Sequence, residues 1–465
     1  MLCQIDVNLE TVVMKQEFYD YDIYPKVFLG DREATVTVQP LGVNSAFVAG
    51  KVYTVRVLKV DQSLTHIYTE RKGRTILSCT PDEDGCIRVT AYFEGEGEYT
   101  VTILDGERFV VSMSVYCLHD DMAGRIPLRG DLHLHTCRSD GHDDPVNVVA
   151  NYRGYGYDFA VISDHFRYYP SLEAIRRYGD ISDIAIIPGE EVHMPFNDVH
   201  YVNFGGTYSI NALVEGNCNE EKAGHDLEWR SLDGNAPDVM TFEEFKSLME
   251  ERAKEIPLEH HSERISYAVM SWIYEHMQSN GGLGIFPHPY WVVCQTMHVP
   301  AEYTEFIYKN KPFDAFEVLG GENYFAHNGF QTAFYHEMRR QGYDYPVVGS
   351  TDSHNSVAEH NRNALICSTI VFAKENERES LIDAIKNKYS IAVDTISAEY
   401  RLVGDFRLTR YACFLMENYF PIHDEACSAE GYYLRRYFAG DEHAEAVLRT
   451  MKGQIAAMQK KYFAV

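Results

Sequence analysis

Two histidines one residue apart, His133 and His135, stand in the run RGDLHLHTCRSDG, with Asp140 five residues further on. In a β-strand, side chains at i and i+2 leave the same face. The two imidazoles then converge, and Leu132 and Leu134 fill the other side. Imidazoles aimed together are costly as core filling and well suited to gripping a metal. Other apolar runs carry similar groups. FAVIS is followed by Asp164 and His165, and IAII by PGEEVH, which supplies Glu190, Glu191 and His193. His200 opens the next run, LGIF leads into Pro287-His288-Pro289, and PVVGS into Thr351-Asp352-Ser353-His354. Each motif alone is weak. Together they put imidazoles or carboxylates at the end, or in one case the start, of six strands. Without a thiolate cluster this is not a Cys-type structural zinc site. Mixed imidazole and carboxylate ligands suit Zn²⁺, Mn²⁺ or Fe²⁺. More than four ligands implies more than one ion, and paired ions can share a bridging carboxylate and a hydroxide that is nucleophilic at neutral pH. No GxSxG, GxxxxGK[ST] or post-strand GxGxxG accompanies them.

Seven short apolar runs beyond Leu128 alternate with stretches of helical spacing such as TFEEFKSLMEERAKEI and ISYAVMSWIYEHMQSNGG. Strand followed by helix predicts a parallel α/β fold. Polar residues gathered at strand ends favour a distorted TIM-like (β/α)7 barrel; an open doubly wound sheet is the other arrangement. The expected barrel domain covers 123–397. A polar insertion at about 206–240, with His225 and Trp229, has the make-up of a lid. Residues 1–122 carry alternating runs, such as Ala34 to Val38 and Val111 to Val115, separated by Asp-Gly turns, and predict an antiparallel β-sandwich. His119 to Leu128 reads as a linker. From 398 to 465 strand signals stop. A stripe of Val447, Met451, Ile455, Met458 and Tyr462 predicts two or three helices packed on the barrel.

The net charge is −27, from 42 Lys and Arg against 69 Asp and Glu, spread along the chain. Such a surface repels phosphate backbones and anionic membranes, so neither nucleic acid nor membrane is an expected partner. The expected partner is a small-molecule substrate; the oligomeric state is not readable. The start is no secretory signal and no long apolar run occurs, so a cytoplasmic location with ten reduced cysteines is expected. Cys79 and Cys86 flank a turn and could face each other.

The motifs DLHLHTCRSDG, SDH at 163–165, GEE at 189–191, His200, PHP at 287–289 and TDSH at 351–354 together resemble the polymerase and histidinol phosphatase (PHP) superfamily. The resemblance covers about Leu128 to Asp394. Within the superfamily it is similar to bacterial metal-dependent phosphoesterase-like hydrolases, including the branch with a carbamate-insecticide hydrolase. It implies a (β/α)7 barrel and two or three divalent ions per chain, zinc, manganese or iron. It implies that His133, His135, Glu191 and Asp352 hold one ion, and Asp140, His165 and His354 a second. His200 and His288 would hold a third, with Glu191 bridging; His193 and Asp198 compete with His200. Glu191 is preferred to Glu190 because the family motif is Gly-x-Glu. His142 and Asp164 are then neighbours that orient ligands.

In that reading His133, His135, Glu191, Asp352 and His354 carry the catalysis. Arg138 and Arg167, beside ligand motifs, are candidates to grip a substrate anion, unless they are solvated surface groups. Tyr290 and Trp291 either wall a substrate ring or pack. The implied activity is hydrolysis of a small phosphoester. Amide, carbamate or ester hydrolysis is the alternative, and a non-catalytic metal-containing binding or sensing protein is an alternative of another class. A polymerase-associated exonuclease fits the acidic charge poorly.

Overall fold

Strict alternation of apolar and polar residues builds the first sheets. In the strand Ile87–Phe93, Ile87, Val89, Ala91 and Phe93 are buried while Arg88, Thr90 and Tyr92 face out. The computed structural model describes residues 15–61, 74–217, 236–321, 325–357, 367–395 and 401–465. They form two compact units. One holds Met1–Ile126, Phe406–Ala426 and Gly453–Val465, the other Pro127–Asp405 and Cys427–Lys452.

The first unit contains β1 Tyr21–Tyr24, β2 Val27–Leu29, β3 Arg32–Pro40, β4 Tyr53–Lys59, β5 Arg74–Cys79, β6 Ile87–Phe93, β7 Gly97–Asp105 and β8 Arg108–Leu118. A three-stranded sheet runs β1-β3-β6. A second sheet runs β2-β8-β7-β4-β5, with Phe463–Ala464 added beside β2. Val36, Val38 and Val89 of one sheet share a core with Val57, Val101 and Val115 of the other. The expected antiparallel pattern needs correction: β2 runs parallel both to β8 and to Phe463–Ala464. Its neighbours are distant in sequence, so no hairpin fixes their direction. Cys79 and Cys86 are free thiols.

The second unit contains β9 Ile126–Asp131, α1 Pro145–Gly154, β10 Phe159–Val161, α2 Tyr169–Tyr178, β11 Ala185–Ile187, β12 Gly189–Val192, β13 Tyr201–Phe204, α3 Phe242–Ala253, α4 His261–Ser279 and β14 Leu283–Phe286. It continues with the hairpin β15 Val292–Val293 and β16 Thr296–Met297, then α5 Ala301–Asn310, β17 Ala315–Leu319, α6 Phe325–Arg340, β18 Val347–Gly349, β19 Cys367–Ala373, α7 Arg378–Lys386, β20 Ser390–Asp394 and β21 Arg401–Val403. Asp144 caps α1 ahead of Pro145. Thr241 and Glu244 form a capping box on α3.

The unit is mixed α/β, and among the described residues the strand ladders form no closed barrel. One sheet runs β11-β10-β9-β19-β20-β21, another β12-β13-β14-β17-β18. Among the described residues the backbone bridges between them are single, Leu134 with Ser353 and His165 with Glu191, and Thr369 Oγ1 of β19 bonds Gly349 of β18 at 2.7–2.8 Å. The seven parallel strand–helix repeats are corrected in two places. β12 and β13 pair antiparallel, as do β13 and β14. β19, β20 and β21 are a further antiparallel set.

The interval read as a linker holds a 3₁₀ turn at Asp120–Met122 and the start of β9. In the insertion, 218–235, with His225 and Trp229, lies outside the described residues. Its two ends are stapled by Glu215 N–H to Met240 O and Met240 N–H to Leu213 O, both 2.9 Å.

Beyond β21 come α8 Phe406–Asn418, α9 Phe420–Phe438, α10 Glu442–Met451, α11 Gln454–Tyr462 and β22 Phe463–Ala464. Four helices replace the expected two or three, and strands persist past 398. Gly453, at φ 81°, splits the Val447-to-Tyr462 stripe into α10 and α11. This segment divides between the two units. Among the described residues no helix is long and apolar enough to cross a membrane.

Candidate metal centre

The chain beyond β9 threads between the ends of β10 and β18. His135 N–H donates to Ser353 O at 3.0 Å, and Ser163 N–H to Leu134 O at 2.8 Å. This extended backbone turns His133 and His135 to one side, ring centroids 5.1 Å apart. Leu132 and Leu134 are fully buried, Leu134 in an apolar cluster with Val146 and Ile162. A tight loop then returns Asp140. Gly141 packs so closely that a Cβ there would stand 2.8 Å from the His135 carbonyl. Asp164 ties the loop by accepting from Thr136 N–H at 2.8 Å, Thr136 Oγ1 at 2.7 Å and the Ser139 hydroxyl.

The structure brings the nine expected ligand residues together. Four overlapping groups of donors could each hold an ion: His135, Asp140, His165 and His354; His133, Glu191 and His288; His133, His135 and Asp352; His165, Glu191 and His193. The partition differs from the expected one. His135 also joins the Asp140 group, and His288 sits with His133 and Glu191. His193, weighed only as a competitor, is a full member, its Nε2 2.7 Å from His165 Nδ1. His200 reaches Glu191 at 2.8 Å but belongs to none of the four groups. Asp352 Oδ1 lies 2.9 Å from His135 Nε2 and 3.2 Å from His133 Nε2. Phe166, His288 and Asp352 have φ of 62°, 26° and 47°, a costly backbone for residues other than glycine.

Electrostatics divide the histidines. Burial opposes charge on His133, but Asp352 and Glu191 outweigh it and lift its pKa well above the ordinary value. Burial is likewise outweighed at His165, raised to about 10 by Glu191 and Asp140. Burial lowers His135 and His200 to about 3, with His165 adding to the effect on His135. Burial would raise Glu191 and Asp352, yet the imidazoles hold both below the carboxylate range.

A divalent cation fits this donor set. Four of its fully or nearly buried atoms, His133 Nε2, His135 Nδ1, Glu191 Oε2 and His200 Nδ1, lack a hydrogen-bond partner. Several lie at ion-pair distance from a carboxylate or imidazole without being aligned with it. Lone pairs that approach but do not pair suit a shared cation.

Other expected residues lie elsewhere. The Arg138 guanidinium grips Glu173 bidentately, at 2.9 and 2.8 Å. Arg167 is 4% exposed, not a surface group. His142 is exposed and bonds Asp143. Tyr290 is buried against Phe330 and Phe334, which is packing. Trp291 is half-buried, 5.8 and 6.1 Å from His288 and His200. Sequence reasoning missed Glu317, fully buried, with Oε2 3.2 Å from His133 Nδ1 and Oε1 accepting His288 N–H at 3.2 Å. An acid inside the apolar run DAFEV was the available signal.

No protein-family model matches the chain, and no curated protein matches it. Solved structures do. A two-domain protein from Bacteroides vulgatus, containing a predicted PHP-like metal-dependent phosphoesterase, is 16% identical with TM-score 0.37, over 58% of this chain and 65% of its own. A structure from Bifidobacterium adolescentis named as a metal-dependent phosphoesterase is 16% identical with TM-score 0.30, over 48% of this chain and 87% of its own. An amidohydrolase from Chromobacterium violaceum with bound sulfate and no metal is 15% identical with TM-score 0.28, over 49% and 87%.

Proposed function

We propose that the protein is a metal-dependent hydrolase of the PHP type, acting on a small phosphoester. One observation carries this: buried imidazoles and carboxylates from separate strand ends converge, and four of their buried donor atoms have no hydrogen-bond partner. In this reading the two sheets are arcs of a distorted (β/α)7 barrel with β13 reversed. His133, His135, Asp140, His165, Glu191, His200, His288, Asp352 and His354, joined by His193, would hold two or three divalent ions. Bound there, zinc, manganese or iron would supply Lewis acidity and make water nucleophilic at neutral pH.

The chain's own residues do the rest. Glu317 holds His133 at Nδ1, which leaves Nε2 for the centre. Glu190 accepts from Ser209, Asn211 and Ile210 N–H and anchors the strand that presents Glu191. Phe166, 4.6 Å from His193, and half-buried Trp291 offer apolar borders for a leaving group. Hydrolysis of a neutral carbamate, amide or ester is the second reading, favoured by the capture of Arg138 by Glu173, which takes one anion grip away.

The test is to purify the full chain with Mn²⁺ or Zn²⁺, count ions per chain, and assay phosphomonoesters, phosphodiesters and aryl carbamates beside His133→Ala. Two or three ions and turnover of a phosphoester far above the variant are expected. Turnover of carbamates alone transfers the assignment to the second reading; no turnover above His133→Ala on any class sinks both.

A further inference from the structure

Buried polar atoms without partners are not confined to the donor cluster. Behind it, on α6, both ring nitrogens of His327 and Oε1 of Gln331 also lack hydrogen bonds. Both side chains are 0% exposed. They stand four residues apart and so share one face of the helix. Gln331 Nε2 donates to Glu317 O at 3.1 Å, which turns that face toward β17. A fully dry imidazole next to a carboxylate is a poor resting state, because each unmet group has lost its water and gained nothing.

Gly320 locates what the ring faces. A Cβ on Gly320 would stand 2.9 Å from His327 Nε2 and 3.0 Å from Glu317 Oε1, with the next heavy atom, His288 Cβ, at 3.7 Å. The nitrogen and the carboxylate oxygen therefore flank Gly320 on one side and stand no more than about 6 Å apart. They make no direct hydrogen bond, and at such a separation a single water can join them. A buried nook lined by a ring nitrogen and a carboxylate oxygen is where buried water is held. A side chain on Gly320 would collide with both atoms and push them apart.

We propose that this nook is a buried solvent site in which one water bridges His327 Nε2 and Glu317 Oε1, making His327 a positioning residue for the Glu317 carboxylate. Glu317 in turn fixes the His133 ring through Nδ1 and the His288 backbone through its N–H. The ring thus steadies two members of the donor cluster without touching the centre. The solvent site stands on the geometry alone; the positioning role rests on the metal-hydrolase reading.

The test has two arms. A crystal structure of the full chain should contain a water within hydrogen-bond distance of both atoms; a direct His327–Glu317 bond or a dry gap overturns the site. In the second arm, manganese affinity is measured by chelator competition in the parent, His327→Phe, His327→Gln and Gly320→Ala, with circular dichroism to confirm folding. His327→Phe and Gly320→Ala should bind about 10–100-fold more weakly, while His327→Gln, which keeps a polar end, stays near the parent. Parent-like affinity in His327→Phe overturns the positioning role. A parent that binds no manganese overturns both the hydrolase reading and that role, while the density still decides the solvent site.

Discussion

The Glu191 carboxylate stands within 3.6 Å of ring nitrogens from six histidines: His133, His135, His165, His193, His200 and His288. Its neighbour Glu190 points the other way and accepts from Asn203, Ser209, Asn211 and Ile210 N–H. Adjacent acids on one strand thus have opposite surroundings, as alternation requires. Removing each charge separates the roles. Glu191→Gln should lose at least one ion per chain by elemental analysis and about 10²-fold or more in metal affinity and turnover, consistent with loss of a shared ligand. Glu190→Gln should keep its ions and instead unfold at lower denaturant, by about 1–3 kcal/mol, because a charge-assisted buried network is weakened. Equal ion loss in both would refute the division. His193 was readable by the same alternation, two residues beyond Glu191. His327 was not, because nothing local in a helical sequence says that a ring meets a strand end.

Helices and strands fail at identifiable contacts. Gly431 in α9 meets Gly154 at the end of α1: a Cβ on Gly431 would stand 2.4 Å from Gly154 Cα and 2.8 Å from Ala150 O. The obstacle is backbone, which cannot swing aside. Gly431→Ala should therefore destabilise by about 1–3 kcal/mol, despite the better helix propensity of alanine, as read by urea unfolding. Lys26, fully buried after β1, has Asp22 at 3.7 Å and the rings of Phe18 and Tyr462 at 4.6 and 4.8 Å. Burial lowers its pKa from 10.5 to about 8, against the pull of Asp22. The folded state favours the neutral amine, so its stability rises as pH climbs from about 8 to 10.5 and is lost below. Lys26→Met should stabilise by up to roughly 3 kcal/mol at pH 7, and the advantage should shrink above pH 8; a gain that ignores pH would count against it. Asp22 keeps Lys461 and the Tyr462 hydroxyl in the variant. At this scale the sequence located the strand cores and misjudged their directions. Only eight residues separate β12 from β13, too few for a parallel crossover, so that hairpin was legible. Six residues separate β20 from β21, so that pair was legible in the same way; the antiparallel β19–β20 pair, joined through α7, and the two-residue β22 left no comparable signal.

Over the whole chain, the first unit is discontinuous: its N-terminal strands are completed by Phe406–Ala426 and Gly453–Val465. Tyr116 lies 5.0 and 5.3 Å from the Tyr411 and Phe414 rings. Arg407 engages Glu96 and Asp121 with 2.6–2.7 Å hydrogen bonds. At the far end, β22 pairs with β2, and Ile455, Tyr462 and Phe463 are buried. A cut made where a tandem-domain reading suggests, between 397 and 398, separates these pieces from the core they finish. The candidate ligands, by contrast, all fall within Pro127–Asp405. Deleting 453–465 should therefore act selectively. It strips three buried apolar side chains, at about 1.5–3 kcal/mol each, and opens the edge of β2. Thermal melting should begin earlier, and limited proteolysis should cut first between β1 and β8, while ions bound per chain stay at the parent number. Cleavage starting instead within Pro127–Asp405, or loss of bound ions with an unchanged melt, would show that stability and metal binding are not partitioned between the units in this way.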